Sequence, residues 1–203
     1  FRRDLRLDDN AGLFHALKSD NPVLPVFIFD KNILDKLENK SDRRVSFIHH
    51  SLEVIQEQLV KLGSSLHVFY DEPGKVFREL TTTYKIAAVF TNHDYEPYAK
   101  TRDENISAIL REKNISLYTY KDQVIFEKDE VIKDDGKPYT VFTPYSRKWK
   151  TILNSSYPEP YNCKKYHINF LKRPVTPVPT LKQIGFNKTI LPFPEMNIEV
   201  ELI

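Results

Sequence analysis

Apolar runs of strand length alternate with longer amphipathic runs over the first 120 residues, and this alternation constrains the fold more than any other feature. The apolar runs occupy residues 22–30, 66–70, 85–92 and 115–120, and they are rich in β-branched and aromatic side chains. Between them, residues 44–62 place Val45, Ile48 and Leu52 on one helical face. Strands that are apolar on both faces are typical of parallel sheets covered by helices. The pattern therefore predicts an α/β fold.

Two more helices are expected to begin at Pro73 and Pro97, since proline is well tolerated in the first helical turn. A further strand, truncated in this sequence, is expected to end near Phe1. We therefore predict a Rossmann-like, doubly wound five-stranded parallel sheet with helices on both faces over residues 1–122. Ligands of such sheets bind outside the carboxyl ends of the strands, so the residues that follow Phe1 are expected at a binding edge.

After residue 122 the alternation stops. Residues 123–127 and 130–133 suggest short strands, residues 134–138 a turn, and the segment after Pro144 a short helix. From residue 154 the chain is rich in proline and has little periodicity. Residues 123–203 are therefore predicted to be an extended Pro-rich linker that leads to a C-terminal helical domain beyond this sequence.

The charge and glycine content argue against two functions. The 30 basic and 28 acidic residues give a net charge of +2, so no strong basic field for nucleic acid is expected from this segment alone. Only five glycines are present, and the turn after Phe1 contains only Gly12, whereas a dinucleotide fingerprint needs several. A stand-alone nucleotide-binding α/β module is therefore the least favoured hypothesis.

The cysteine, histidine and hydropathy patterns exclude other classes. Cys163 is the only cysteine, which excludes an internal disulfide and fits a cytoplasmic location. His49 and His50 are adjacent and would point about 100° apart on a helix, so no metal site is predicted. No apolar run approaches the roughly 20 residues that cross a bilayer, so we expect a soluble protein without a membrane partner.

The chain opens with FRRDLRLDDN, which holds three arginines and three aspartates. We predict a neutral ion-pair network within this stretch, formed by Arg2, Arg3, Arg6, Asp4, Asp8 and Asp9. Asp8, Asp9 and Asn10 are the candidate N-caps for a helix that begins at Ala11, because their side chains can accept hydrogen bonds from its first free N–H groups.

This decapeptide resembles the opening signature of the DNA photolyase and cryptochrome family, an aromatic residue followed by Arg-x-Asp-Leu-Arg-x-x-Asp-Asn. TNHDYEPYAKTRD at residues 91–103 resembles the family's loop after strand four, and YTVFTPYSRKW at residues 139–149 resembles its linker motif. The three motifs occur in the family's order and cover residues 1 to about 149.

The resemblance implies the N-terminal antenna domain of a deoxyribodipyrimidine photolyase, which holds a light-harvesting chromophore. In the family a following helical domain binds FAD and damaged DNA, and excited reduced FAD donates the electron that splits a pyrimidine dimer. No catalytic residue is therefore expected in this segment. A cryptochrome-type photoreceptor has the same domain and remains the alternative.

By the same resemblance, Arg3, Asp4, Arg6 and Asn10 would brace the domain against its helical partner and wall the chromophore crevice. The chromophore ligands would be four residues: Phe27, Arg44, Asp94 and Glu96. These match the pattern of members that use 8-hydroxy-5-deazaflavin, which we favour.

FMN or FAD could replace deazaflavin as antenna. Folate is less favoured because the Asn-Glu pair of folate-using members is replaced by Tyr98 and Ala99. As an alternative to chromophore binding, Asp94 and Glu96 could simply cap the helix that follows them.

Overall fold

A computed structural model of the chain describes residues 1–155 and 159–189. The strands are β1 (Val26–Asp30), β2 (His67–Asp71), β3 (Ala88–Asn92) and β4 (Ser116–Tyr120). The helices are α1 (Ala11–Leu17), α2 (Lys31–Leu34), α3 (Arg43–Lys61), α4 (Pro73–Thr83), α5 (Pro97–Arg111) and α6 (Phe142–Ser155). Two 3₁₀ helices cover Lys128–Glu130 and Cys163–Asn169. The predicted α/β alternation is confirmed.

The strands form two parallel two-stranded sheets. In one, β1 pairs with β2 so that Val26 lies opposite His67, and in the other β3 pairs with β4 so that Ala88 lies opposite Ser116. The predicted single sheet of five strands is not formed within the described residues, because the segment that begins at Phe1 is not a strand and β1 and β3 have no ladder between them.

Helices cover both faces of the β1–β2 sheet. Phe27 and Phe29 of β1 enter the main core with α1 and α3, where Leu52 and Leu59 are fully buried. Successive strand side chains point to opposite faces, so Val26 and Ile28 face the other side. There α4 contacts both β1 and β2, and α5 packs against α4.

The helix ends follow from local sequence. Asp42 caps α3 by accepting a hydrogen bond from the Arg44 amide at 2.8 Å, and Pro73 and Pro97 open α4 and α5 as predicted. The helix expected after Pro144 begins two residues earlier, at Phe142. Proline is tolerated there because the N–H groups of a first helical turn have no intrahelical partner.

The short strands predicted at residues 123–127 and 130–133 are wrong. The 3₁₀ helix Lys128–Glu130 occupies this place, and it is closed by a capping box in which Glu127 and Glu130 exchange side-chain-to-amide hydrogen bonds. Local capping by polar side chains therefore replaces strand pairing. The predicted turn is present: the Lys133 amide donates to the Lys137 carbonyl at 2.9 Å, and Gly136 adopts a φ of +78°.

Residues 159–189 run over the α/β unit with little regular structure but contribute to its core. Four of their side chains are buried in the main core: Cys163, Phe170, Ile184 and Phe186. An isolated parallel bridge joins Phe170 to Val23. The C-terminal part of the predicted linker, residues 190–203, lies outside the described residues. Across residues 1–155 and 159–189, no helix combines the length and the apolar character that a bilayer span requires.

Candidate functional site

Three buried polar side chains tie the opening decapeptide to the end of β3. Asn10 caps α1, as predicted, by accepting a hydrogen bond from the Leu13 amide at 3.0 Å. The Asn92 amide nitrogen donates to the Asp4 carboxylate and, at 2.9 Å, to the Asn10 side-chain oxygen. Asp4, Asn10 and Asn92 are 8%, 1% and 3% exposed, so the network is closed to solvent. Such satisfied buried networks fix geometry.

Gly12 makes this network possible. Its amide donates to Asn92 Oδ1 at 2.7 Å. A Cβ at this position would lie 2.9 Å from the same oxygen and 3.1 Å from the Thr91 carbonyl carbon. The glycine is thus needed for the close approach of α1 to β3 and not for a phosphate cradle.

The charge of Asp4 is retained despite its burial. Burial alone would raise the pKa of this carboxyl, but opposing interactions, among them hydrogen bonds from the Arg2 amide and Asn92, outweigh it and hold the pKa below its ordinary value. Asp4 therefore stays ionised at neutral pH and anchors the start of the chain.

The arginines of the decapeptide form ion pairs with distant carboxylates, which corrects the predicted internal network. Arg2 binds Asp103 through two hydrogen bonds of 2.7 Å. Arg6 binds Asp122 at 2.9 Å, and that carboxylate also accepts a hydrogen bond from the Ala11 amide at 3.0 Å. Asp103 follows β3 in the sequence and Asp122 follows β4. The arginines therefore pair with carboxylates of other elements and not with those of the decapeptide.

Arg3 is the cation beside Asp94 and Glu96. Its guanidinium lies 3.5 Å from the Asp94 carboxylate and 3.7 Å from that of Glu96. Glu96 occupies the N-cap position of α5, but its side chain makes no capping hydrogen bond. Asp94 accepts a long hydrogen bond of 3.3 Å from the Glu96 amide. Neither carboxylate is therefore fully used by helix capping.

A cavity of about 620 Å³ is lined by both β1 and β3. Phe27 and Asp94, two of the four predicted chromophore ligands, are among the lining residues. Glu96 lies close to Asp94 because the Arg3 guanidinium contacts both carboxylates.

Arg44 is not among the residues that line the cavity. Its side chain is 75% exposed and binds Asp42 at 2.6 Å, a pairing that raises the pKa of the guanidinium. The structure thus places Phe27 and Asp94 on one cavity and Glu96 beside Asp94, and Arg44 lies elsewhere.

Three polar residues at the same edge were missed by sequence reasoning. Asp30, the last residue of β1, accepts a hydrogen bond of 2.6 Å from the Tyr98 hydroxyl. Burial, and then this bond, raises the pKa of Tyr98 to about 12. Arg102 lines the cavity, and its Nη2 atom is buried without a hydrogen-bond partner within the described part of the chain. Asp30 could have been predicted from the sequence, because it is the last residue of a strand whose carboxyl end lies at the expected binding edge.

Four charged residues that line the cavity are called the polar rim below: Arg3, Asp30, Asp94 and Arg102.

A second polar cluster joins the segment after β4 to the end of β3. His93 Nδ1 lies 2.8 Å from a Glu127 carboxylate oxygen, and the Tyr95 hydroxyl donates to the same oxygen. Burial alone would raise the pKa of Glu127, but these hydrogen bonds hold it below its ordinary value of 4.5. The cluster fixes the start of the linker against the α/β unit.

Residues 1–162, which include all the site residues described above, match the family profile described as DNA photolyase. The chain belongs to the DNA photolyase family. The deoxyribodipyrimidine photo-lyase of Synechococcus sp. strain PCC 6301 is 28% identical over 194 residues, which cover 92% of this chain and 39% of that protein. Cryptochrome-1 of Erithacus rubecula is 26% identical over 203 residues, which cover 95% of this chain and 32% of that protein.

Solved structures agree with this assignment. The photolyase of Sulfolobus tokodaii, whose crystal structure contains two FAD molecules, superposes with a TM-score of 0.68 at 28% identity and covers 94% of this chain and 42% of that one. The chain thus corresponds to the N-terminal domain of DNA photolyase family proteins. It spans between 32% and 65% of the length of the curated relatives compared with it.

Proposed function

We propose that this chain is the light-harvesting domain of a deoxyribodipyrimidine photolyase, and that it holds an antenna chromophore which passes excitation to FAD in a C-terminal helical domain. One observation carries the proposal: Asp94 lies on the wall of a cavity that Phe27 also lines, and Arg3 joins Asp94 to Glu96. An aromatic wall beside paired carboxylates and a guanidinium suits a planar ring that carries both N–H donors and oxygen acceptors.

The polar rim is chemically suited to such a ligand. Carboxylates accept hydrogen bonds from ring N–H groups and ribityl hydroxyls, and guanidinium groups bind carbonyl, phenolate or phosphate oxygens. The unpaired Nη2 of Arg102 is a buried donor that an acceptor on a ligand would satisfy. Arg3, and not Arg44, is the cation beside the carboxylates, so we assign it the electrostatic role in this structure. When bound, the chromophore would supply light absorption.

The choice of chromophore follows from the groups at the edge. We favour 8-hydroxy-5-deazaflavin, which offers a ring N–H and ribityl hydroxyls to Asp94 and Glu96. FMN or FAD is the second choice, and the two FAD molecules of the Sulfolobus tokodaii photolyase support it. Folate is least favoured because the Tyr98 hydroxyl is committed to Asp30 and Ala99 is buried and has no polar group.

The proposal extends to the longer protein. Its partners would be its own helical FAD domain and, through that domain, damaged DNA in the cytoplasm. The exposed Val141 and Phe142 at the start of α6 offer an apolar surface for the helical domain. We also propose that the two sheets belong to one doubly wound, five-stranded sheet, because residues of both β1 and β3 line the same cavity.

The test is reconstitution of the purified chain with deazaflavin, FMN, FAD and folate, followed by absorption and fluorescence spectroscopy. Asp94→Asn and Glu96→Gln should each weaken deazaflavin binding about tenfold or more, since each removes one charge-assisted hydrogen bond.

The matched control is Glu112→Gln. Glu112 is as exposed as Glu96 and also has a single loose ion pair of 3.7 Å, with Arg78. Equal binding by Glu96→Gln, Asp94→Asn and Glu112→Gln would refute the assigned site, and no binding of any chromophore would refute the antenna function.

A cryptochrome-type photoreceptor is the second candidate, because Cryptochrome-1 proteins also match over 95% of the chain. Blue-light repair of ultraviolet-damaged DNA by the full-length polypeptide would support the lyase. Photoreduction of FAD without repair would support the photoreceptor.

A further inference from the structure

The two ring nitrogens of His93 join a carboxylate to a hydroxyl. Nδ1 lies 2.8 Å from a Glu127 carboxylate oxygen, and Nε2 lies 2.9 Å from Thr119 Oγ1. We call Thr119, His93 and Glu127 the hydroxyl triad. None of the three is among the residues that line the cavity. The hydroxyl triad is therefore separate from the polar rim and from the proposed chromophore site.

The pairing of β3 with β4 explains why Thr119 and His93 meet. Thr119 lies opposite Thr91, and His93 follows Thr91 by two residues. The His93 amide donates to the Tyr120 carbonyl at 2.7 Å, so the hydrogen bonding between the two strands continues past the end of β3. Side chains two residues apart in a strand share a face. The backbone thus places the Thr119 hydroxyl diagonally beside the His93 ring.

Glu127 reaches the same ring from the segment that follows β4. Its amide donates to the Glu130 carboxylate at 2.6 Å as part of the capping box of the 3₁₀ helix. The Tyr95 hydroxyl donates to the carboxylate oxygen of Glu127 that also faces His93. These two contacts fix the orientation of the Glu127 carboxylate, and the carboxylate in turn orients the imidazole ring.

The hydrogen bonds determine which nitrogen of His93 carries the proton. An ionised carboxylate can only accept hydrogen bonds, so Nδ1 donates to Glu127. In the neutral imidazole Nε2 then has the free lone pair, and the Thr119 hydroxyl donates to it. A hydroxyl, an imidazole and a carboxylate in this order are the arrangement in which a hydroxyl acts as a nucleophile.

The exposure of the three side chains suits a reaction with a compound from solution. Thr119 is exposed, whereas the side chains of His93 and Glu127 are only 21% and 12% exposed. The hydroxyl is therefore accessible to a reactant, while the imidazole and the carboxylate are largely shielded from water.

A donor for a developing oxyanion lies at the open edge of β4. Because the Tyr120 carbonyl points to β3, the amide of the preceding residue, Thr119, points to the opposite edge of the strand. That edge has no ladder within residues 1–155 and 159–189. The backbone N–H of the nucleophile itself contributes to the oxyanion hole of other hydroxyl triads. The Gln123 side-chain amide, which donates a long bond of 3.4 Å to the His93 carbonyl, is a second neutral donor nearby.

We propose that the hydroxyl triad is an acyl-transfer site for small activated carboxylic esters. Thr119 is the nucleophile, His93 is the general base, and Glu127 is a positioning residue that keeps the imidazole proton on Nδ1. Because Thr119 is exposed and lies outside the cavity, an ester with a small acyl group and a good leaving group is the favoured substrate. The inference does not depend on the proposed antenna function.

The proposed reaction neither oxidises nor reduces any group. Thr119 Oγ1 attacks the carbonyl carbon of the ester while its proton passes to His93 Nε2. The bond between that carbon and the leaving oxygen then breaks, and His93 returns the proton to the leaving oxygen, which departs as an alcohol. Water hydrolyses the ester formed on Thr119, again with His93 as base. The sum is ester plus water giving acid plus alcohol.

The test incubates the purified chain with p-nitrophenyl acetate, follows the release of p-nitrophenol by absorbance, and locates acetyl groups by peptide mass spectrometry after a rapid acid quench. An acetyl group on Thr119 is the expected result. Thr119→Val keeps the shape of the side chain without its hydroxyl, and it should lower the rate about tenfold or more.

The matched control is Thr82→Val. Thr82 is also exposed, and its hydroxyl donates to the Glu79 carbonyl at 2.7 Å, so it faces a backbone oxygen and not an imidazole. This substitution should leave the rate unchanged.

Chemical rescue separates a base from a structural residue. His93→Ala should lose the acetylation of Thr119, and added imidazole should restore it relative to Thr82 in the same protein. Glu127→Gln should lower kcat about tenfold or more and leave KM within about twofold, since Glu127 acts on His93 and does not touch the ester. Glu127→Asp, which keeps the carboxylate, should recover part of the loss.

Equal rates of the wild type and Thr119→Val would overturn the proposal. Acetyl groups on lysines or tyrosines with none on Thr119 would overturn it as well, and so would acetylation of Thr119 no greater than that of Thr82. The adduct is measured on the wild-type chain, so it decides the question even if Thr119→Val does not fold. None of these readouts involves a chromophore, so a failure here leaves the antenna function standing and the reverse also holds.

Discussion

At the residue scale, the buried network of Asp4, Asn10 and Asn92 shows which hydrogen bonds can be predicted from neighbouring residues in the sequence and which cannot. Asn10 was predicted as a cap because its acceptor role depends on an amide three residues away. Asn92 was missed, although it bonds Gly12 and Asn10, because those partners lie 80 and 82 residues earlier. A single sequence offers no local signal for such a contact.

Gly12 and Gly74 provide a matched pair for a residue-scale prediction. Gly12→Ala should destabilise the fold by about 1–3 kcal/mol, because the new methyl group overlaps Asn92 and the β3 backbone. Gly74→Ala should be neutral or stabilising by up to about 1 kcal/mol, since Gly74 is helical and a Cβ there would meet only Ile109 at 3.5 Å. Urea unfolding measures both free energies. Equal effects of the two substitutions would contradict the packing of α1 on β3.

At the element scale, prediction succeeded where an element is fixed by its own sequence. The strands were recognisable because β1 begins with four apolar residues and β3 with three, and Pro73 and Pro97 marked the starts of α4 and α5. The strands predicted after residue 122 were wrong because the side chains of Glu127 and Glu130 cap a 3₁₀ helix there. The predicted ion-pair network was wrong because the arginines pair with carboxylates on other elements.

The contact of Glu127 with His93 and Tyr95 gives an element-scale prediction, with Trp149 as reporter. Trp149 is the only tryptophan, and its ring packs edge-on against Phe126 at a centroid distance of 5.6 Å. Glu127→Gln removes the charged acceptor, so it should loosen this segment and shift the Trp149 emission to longer wavelength at pH 7. Asp129→Asn, two residues away and exposed, is the control.

The same contact should depend on pH with a defined sign. The pKa of Glu127 is lowered in the folded protein, so its stabilising contribution is complete above about pH 4.5 and is lost as the pH falls below that value. The charged or titratable groups around the cluster are His93, Tyr95, Asp122, Lys128 and Glu130. The wild-type emission should therefore approach that of Glu127→Gln on acidification. A constant difference between the two proteins from pH 7 to pH 3 would argue against this contact.

At the scale of the whole molecule, the exposed apolar residues at the start of α6 predict association. Phe142 and Val141 are 77% and 61% exposed, and α6 has no buried side chain in the part of the chain that the structure describes. Without a covering domain, the chain should self-associate weakly at high concentration. Sedimentation velocity over a concentration series should show this.

Replacing both residues, Val141→Ser with Phe142→Ser, should abolish the association. Val175→Ser is the control, because Val175 is as exposed as Val141 but lies far from α6 in sequence. Concentration-independent monomers of the wild type would refute the prediction.

The candidate site could be predicted only in part at this scale. The resemblance predicted Phe27, Arg44, Asp94 and Glu96 as chromophore ligands, but the cavity that relates Phe27 to Asp94 depends on how two sheets lie beside each other. Arg44 illustrates the limit, because its nearest strong partner is Asp42, two residues away. The position of a motif predicts on which helix or strand a residue lies. The direction of a charged side chain such as that of Arg44 also depends on which oppositely charged groups lie near it.

The burial of Cys163, Phe170, Ile184 and Phe186 in the main core has a consequence for biosynthesis. All other buried residues of this core precede Asp71, the end of β2, in the sequence and are therefore synthesised earlier. At about 5–20 residues per second, the ribosome needs roughly 6–23 seconds to make the intervening segment. During that interval the nascent domain carries an uncovered apolar surface, so its translation speed and its access to chaperones should decide how much of it folds.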